Sequence, residues 1–234
     1  AQSVIQRNIH THGISESALA ELLADFEIPA GVNLAWLPQT GRVDLRLYGQ
    51  DEALIGQTLE SMAARVQKHV WGYDGDSPVT KLGELLQARG WLISCAESCT
   101  GGLVQKMLTD QAGSSAYFSG GLVSYSNAQK VALLGVSTDT LERYGAVSAE
   151  TAGEMVYGLT MLCKTEVAVS ITGIAGPEGG SDAKPVGLVY FGFAIPGKTW
   201  VCKQIFSGTR ASIRQKAADY ALISLIKELT ELVP

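Results

Sequence analysis

Trp91-Leu92-Ile93-Ser94-Cys95-Ala96-Glu97-Ser98-Cys99-Thr100-Gly101-Gly102-Leu103-Val104-Gln105-Lys106-Met107-Leu108 is the stretch on which the reading of this chain turns. Residues 91–96 read as a short buried strand, and residues 103–108 as the first turns of a helix. A strand that breaks at Ser98 and re-enters a helix through two glycines sets a hydroxyl beside helix N–H groups that lack intrahelical partners. Such a corner can host a nucleophile with the stabiliser of its oxyanion, or it can hold a phosphate. The plainer alternative is a serine that only caps the helix beginning at Gly101. Glu97 is either a second acid or a charged helix-start residue, and the second is preferred.

Outward from this corner, helices and strands alternate. The patterns predict a helix over 80–89 ended by Gly90, the strand to Ala96 and a helix to Thr109. A strand over 117–125 follows, interrupted by Gly120-Gly121, and then a helix over 127–134 stopped by Gly135. Ser148 is placed to cap a helix that runs through Cys163. Buried strands are expected at 166–172 and 187–195, another strand at 200–206, and a closing helix over 209–232. That alternation argues for an α/β layer architecture.

Before it stands the turn-rich run Gly72-Tyr73-Asp74-Gly75-Asp76-Ser77-Pro78. The part it closes reads as strand 3–8, helix 15–25, strand 32–37, strand 43–48, helix 52–69 and a short strand at 70–71. This is the split βαβ order of a ferredoxin-like α+β sandwich. Two domains are therefore expected, 1–76 and 77–234.

Composition narrows the classes of function. The chain has 234 residues, 46% of them apolar, enough for one large or two modest cores. A net charge of −5 gives no electrostatic footprint for nucleic acid. No apolar run approaches membrane-spanning length and no signal peptide opens the chain, so neither membrane nor nucleic acid is an expected partner. The chain opens at Ala1 without an initiator methionine, which points to a piece of something longer. Cys95, Cys99, Cys163 and Cys202 lack the paired spacing of a metal site; neither a disulfide framework nor a metal is expected, and a reducing cytoplasm is the natural setting.

All three histidines, His10, His12 and His69, fall in the first part. A Ser98 nucleophile therefore has no histidine in its own domain, and its base must be a lysine, a tyrosine or a carboxylate. Lys130 is best placed, in the first turn of the 127–134 helix with Ser126 or Asn127 as cap. The positive end of a helix dipole disfavours a cation and so favours the neutral amine that a base requires. Tyr125 could orient or relay the proton. The alternative for Lys130 is a solvated surface residue. Ser114 and Ser115 are turn formers or hydroxyl donors into the site, and Ser115 is kept as a candidate substrate contact.

Two further features invite an anion. The glycine-rich connection from Thr172 to Gly187 is longer than a turn needs, and its backbone N–H groups with Lys184 could cradle one phosphate. It is neither a Walker loop nor a dinucleotide fingerprint. Arg210 and Arg214 share one face at the start of the last helix, where two cations need an anion, either a ligand or an acid such as Glu178 or Asp182.

Taken together, Ala96-Glu97-Ser98-Cys99-Thr100-Gly101-Gly102, Ser124-Tyr125-Ser126-Asn127 with Lys130, Gly145-Ala146-Val147-Ser148, and Thr172-Gly173-Ile174-Ala175-Gly176-Pro177 with Lys184-Pro185-Val186-Gly187 resemble the CinA C-terminal domain. The resemblance spans roughly 77–232 and implies a three-layer α/β/α fold. It implies an amidase that converts nicotinamide mononucleotide to nicotinic acid mononucleotide and ammonia, without metal or other cofactor. Ser98 would be the nucleophile, Lys130 the base and Tyr125 its assistant. N–H groups around Thr100, Gly101 and Gly102 would hold the oxyanion, and Gly176, Lys184 and Arg210 would contact phosphate or ribose. One departure is Gly208-Thr209-Arg210, where the family often has Gly-Asp-Arg, and this bears on the orientation of Arg210.

The first part resembles the KH-like middle domain of CinA proteins. It has no Gly-x-x-Gly clamp, so RNA binding is not implied. The family's N-terminal molybdopterin-cofactor-like domain is not in this sequence, and its metal-dependent activity is not carried over. A homodimer is plausible from the apolar C-terminal helix. A rival to the enzyme is a catalytically silent nucleotide-sensing or assembly module linked to competence or DNA damage.

Overall fold

The computed structural model describes residues 3–232 and divides into two compact units between Pro78 and Val79.

The first unit runs β1 (Ile5–Thr11), α1 (Glu16–Leu22), β2 (Val32–Gln39), β3 (Arg42–Gly49), α2 (Glu52–Arg65) and β4 (Val70–Tyr73). Its sheet has the order β2-β3-β1-β4 with every neighbouring pair antiparallel, the ferredoxin-like arrangement that the element order implies. Ile9, Val43, Leu45 and Leu47 point from one face onto Leu19 of α1 and Ile55, Leu59 and Met62 of α2. Ser15 and Asp51 cap the two helices through their side chains. The helix expected to reach His69 ends at Arg65. Val66 leaves helical geometry to bury its side chain, and a single 3-10 turn over Gln67–His69 leads into β4.

The second unit runs α3 (Pro78–Gln87), β5 (Ile93–Glu97), α4 (Leu103–Asp110), β6 (Phe118–Val123), α5 (Asn127–Leu134), α6 (Thr138–Tyr144), α7 (Ala149–Cys163), β7 (Val167–Gly173), β8 (Leu188–Ile195), β9 (Lys198–Ile205) and α8 (Arg210–Glu231). The sheet order is β6-β5-β7-β8-β9; β6, β5 and β7 run parallel, while β8 and β9 extend the sheet antiparallel.

Alternation along the strands builds three layers. Ala96, Ala168 and Ala194 face Met155, Val156 and Leu159 of α7, and Ser170 Oγ donates to Ala152 O at 2.7 Å. Gly192 lies under the same helix; a Cβ there would stand 2.5 Å from Ala152 O, so the close approach requires glycine. The opposite face carries Phe191, whose ring meets Tyr220 of α8 at 4.7 Å between centroids. On this face, too, Arg89 after α3 donates to Leu229 O at 2.8 Å. The α/β/α expectation therefore holds. One helix escaped the sequence reading: α6, whose start is tied down by Glu154 of α7 through Ser137 N at 2.7 Å and Thr140 Oγ1 at 2.5 Å.

Among the described residues no helix is long and apolar enough to cross a membrane.

Candidate active site

Ser98 stands where β5 stops. Its N–H continues the ladder to Ile171 O at 2.9 Å, but its carbonyl turns aside to accept from Gly101 N at 3.1 Å. The serine is not the cap of α4. That place is taken by Gly102, in the left-handed region at φ 90°, and the open N–H groups of α4 are met by Glu97. The Glu97 carboxylate, fully buried, accepts from Val104 N at 3.2 Å, Gln105 N at 2.9 Å and Gln105 Nε2 at 3.1 Å. Glu97 is thus the last residue of β5, not a residue at the start of a helix, and its carboxylate reaches across the turn to N–H groups that open α4.

Lys130 comes from the neighbouring parallel strand's helix. Ser126 caps α5 by accepting from Gln129 N at 3.2 Å, and Gly135 ends it in the left-handed region at φ 65°. This turns Lys130 inward, where it is 1% exposed. Its Nζ lies 3.0 Å from Ser98 Oγ and donates to Ser124 O at 2.7 Å. The surface-residue alternative is thereby removed. Burial lowers the pKa of Lys130 from 10.5 to about 8, since desolvation penalises the charged amine. Burial pushes the Cys99 thiol up to about 12, which keeps it protonated and a poor nucleophile beside Ser98.

These groups open onto a cavity of about 200 Å³ at the carboxyl ends of the parallel strands, where open α/β sheets place their ligands. Tyr125, Ala146, Val147, Thr172, Gly173, Ala175 and Arg210 complete its lining. Arg210 Nη1 donates to Gly176 O at 2.7 Å and Nη2 to the Tyr125 hydroxyl at 3.0 Å. Thr209 caps α8 by accepting from Ser212 N at 3.3 Å, which fixes the helix start that orients Arg210. Arg214 donates to Thr100 O. The partners that sequence reasoning sought for the two arginines are thus backbone carbonyls, not Glu178 or Asp182.

Model matches place the chain in a family: "Damage-inducible protein CinA KH domain" covers residues 6–72 and "CinA C-terminal domain" residues 76–229. The chain belongs to the CinA family. A "Putative competence-damage inducible protein" of Halothermothrix orenii is 41% identical over 97% of this CinA chain, which spans 56% of that protein's length. A "Nicotinamide-nucleotide amidohydrolase PncC" of Enterobacter agglomerans is 53% identical over 63% of this chain and 91% of its own. Among solved structures, a competence damage-inducible protein A from Klebsiella pneumoniae superposes with a TM-score of 0.64 at 35% identity, over 67% of this chain and 97% of its own.

Within this CinA fold, Ser98, Lys130, Tyr125 and Arg210 come together, and other candidates do not. Thr100, Gly101 and Gly102 do not line the cavity. The Gly101 N–H turns back to Ser98 O within the turn itself. Ser115 sits in the 3-10 turn Ser114–Ala116 before β6, at the opposite end of the strands from Ser98. The Gly176 carbonyl is occupied by Arg210. Lys184 lies outside the lining and donates to Tyr144 O at 2.6 Å, stapling the glycine-rich loop to the end of α6. Sequence reasoning missed Thr172 as a site residue; its Oγ1 donates to Ala146 O at 2.6 Å and holds the 145–147 segment over the cavity. The signal was its place at the end of a buried strand, just before a glycine.

Proposed function

We propose that the second unit is an amidase that hydrolyses nicotinamide mononucleotide to nicotinic acid mononucleotide and ammonia, with Ser98 as nucleophile and Lys130 as base. The observation that carries this reading is the 3.0 Å approach of the Lys130 amine to the Ser98 hydroxyl, in a chain that is 53% identical over 63% of its length to a nicotinamide-nucleotide amidohydrolase. A lysine can serve a serine where no histidine is at hand. The neutral amine takes the Oγ proton as Oγ bonds to the carboxamide carbon. The resulting ammonium gives that proton to the departing nitrogen, and ammonia leaves an ester on Ser98. Water, deprotonated by the same amine, attacks the ester and releases the carboxylate with regeneration of the serine.

Arg210 and Tyr125 stand at the mouth of the cavity, where a phosphate or ribose hydroxyl of the nucleotide would meet a guanidinium and a phenol. The deciding experiment is ammonia release from nicotinamide mononucleotide by wild type and Ser98→Ala. Loss of turnover in the variant, with an unchanged thermal midpoint, is expected; wild-type-like release by Ser98→Ala overturns the reading.

A further inference from the structure

Gly173 is the last residue of β7, beside Ser98. Along a strand, successive N–H groups point to opposite neighbours. Thr172 pairs with Tyr190, and Ile174 N donates to Leu188 O at 2.8 Å, so these two residues face β8. Ile171 faces the other way, accepting from Ser98 N. Gly173 N–H shares the direction of Ile171, toward the end of β5.

In an unbroken parallel ladder its acceptor would be the Ser98 carbonyl. That carbonyl has turned away to Gly101 N, and the β5–β7 pairing ends at Glu97 and Ile171. Gly173 N–H has no hydrogen-bond acceptor among the described residues, and Gly173 lines the cavity beside Ser98. An unpaired main-chain donor at the rim of a buried sheet requires a partner from solvent or ligand. Of the donors that open α4, those of Val104 and Gln105 are committed to Glu97 and that of Leu103 to Thr100 O, while that of Gly101 in the turn before it goes to Ser98 O.

We infer that the Gly173 N–H, not the N-terminus of α4, is the main-chain donor that stabilises the oxyanion formed when Ser98 attacks a carboxamide. The inference rests on the amidase reading above and locates its electrostatic stabiliser. As Ser98 Oγ bonds to the carbonyl carbon, the carbonyl π electrons move onto oxygen, which lies between Oγ and the exposed N–H. The proton released from Oγ goes to Lys130, so no other charge need enter the cavity.

A side chain at 173 is no clean probe, because a Cβ there would fall 2.7 Å from Leu188 O. The test is replacement of Gly173 by glycolate, which exchanges the N–H for an ester oxygen and leaves the shape of the chain. Loss of one oxyanion donor is expected to lower kcat about 10²- to 10³-fold. Affinity for nicotinamide mononucleotide, by calorimetry in the Ser98→Ala background, is expected to stay within about threefold, since the neutral carboxamide of the ground state makes little use of the donor. A kcat within about threefold of wild type overturns the assignment.

A second measurement stands if the ester chain does not fold: a crystal structure of wild type with the aldehyde analogue of the nucleotide bonded to Ser98. Its oxygen is expected within about 3.1 Å of Gly173 N; an oxygen directed at α4 or at solvent overturns the assignment. Failure of wild type to release ammonia, or of the aldehyde to bond Ser98, overturns the amidase reading and this inference with it.

Discussion

Lys130 Nζ lies 3.0 Å from Ser98 Oγ with no carboxylate among the residues that line their cavity. A buried amine without a counter-charge is held toward its neutral form, and its pKa of about 8 puts the titration within reach of ordinary assays. Below that pH the base is mostly protonated. The rate constant kcat is therefore expected to rise about tenfold per pH unit up to the pKa and then level. A flat profile between pH 6 and 8 would exclude Lys130 as the base. Lys130→Arg, charged throughout this range, is expected to be inactive.

The same burial has a consequence for stability. The unfolded chain has a lysine of ordinary pKa, 10.5, and the folded chain one of about 8, so between these values the unfolded state binds the extra proton. Stability contributed at this site is therefore lowest below pH 8 and recovers as pH rises toward 10.5. Relative to Lys130→Met, wild type is expected to gain about 3 kcal/mol over that window. Denaturant titrations of both proteins at pH 7 and pH 10 measure it.

Gly158 on α7 sets the position of α5, since a Cβ there would stand only 1.8 Å from Leu134 O. Gly158→Ala must push the two helices apart, at about 1–3 kcal/mol. Because α5 carries Lys130, activity is expected to fall by more than the loss of folded protein explains. Normalising ammonia release to the folded fraction separates the two effects.

Glu97→Gln keeps the size of the side chain but turns an amide donor toward a helix N–H. A loss of about 1–3 kcal/mol is expected from the unsatisfied buried donors. The pH at which activity levels is expected to stay unchanged, since Glu97 faces α4; a displaced profile would show that it also acts on Lys130.

Arg210→Lys removes the planar fork that spans Gly176 O and the Tyr125 hydroxyl. If Arg210 holds the nucleotide away from the reacting carbon, KM is expected to rise about tenfold with kcat within about threefold.

Much of this architecture was legible because local signals agreed. Ser126 and Gly135 bracket α5 in the sequence as they do in the fold, and Ser148 starts α7 where a cap was expected. The approach of Ser98 and Lys130, 32 positions apart in the chain, was readable only as far as two adjacent strand ends could be guessed. The use of Glu97 was harder to see in detail. It reaches Val104 and Gln105 across a double-glycine turn, whereas the familiar capping spacing is three residues. Helix α6 offered little periodic apolar sequence, and its start depends on Glu154 from another helix. Lys184 looked free to meet a phosphate because its true acceptor, a carbonyl 40 residues away, leaves no trace in composition.

With its carboxylate turned into α4, Glu97 makes no ion pair with Arg210 or Lys130, the two basic side chains that line the cavity. In a protein of net charge −5, the cavity lining thus holds two basic side chains and no carboxylate. Entry of a dianionic ligand should then slow as added salt shortens the Debye length, while entry of an uncharged amide should not respond. The carboxyl group that stiffens a helix would in this way also select, by field alone, what diffuses in.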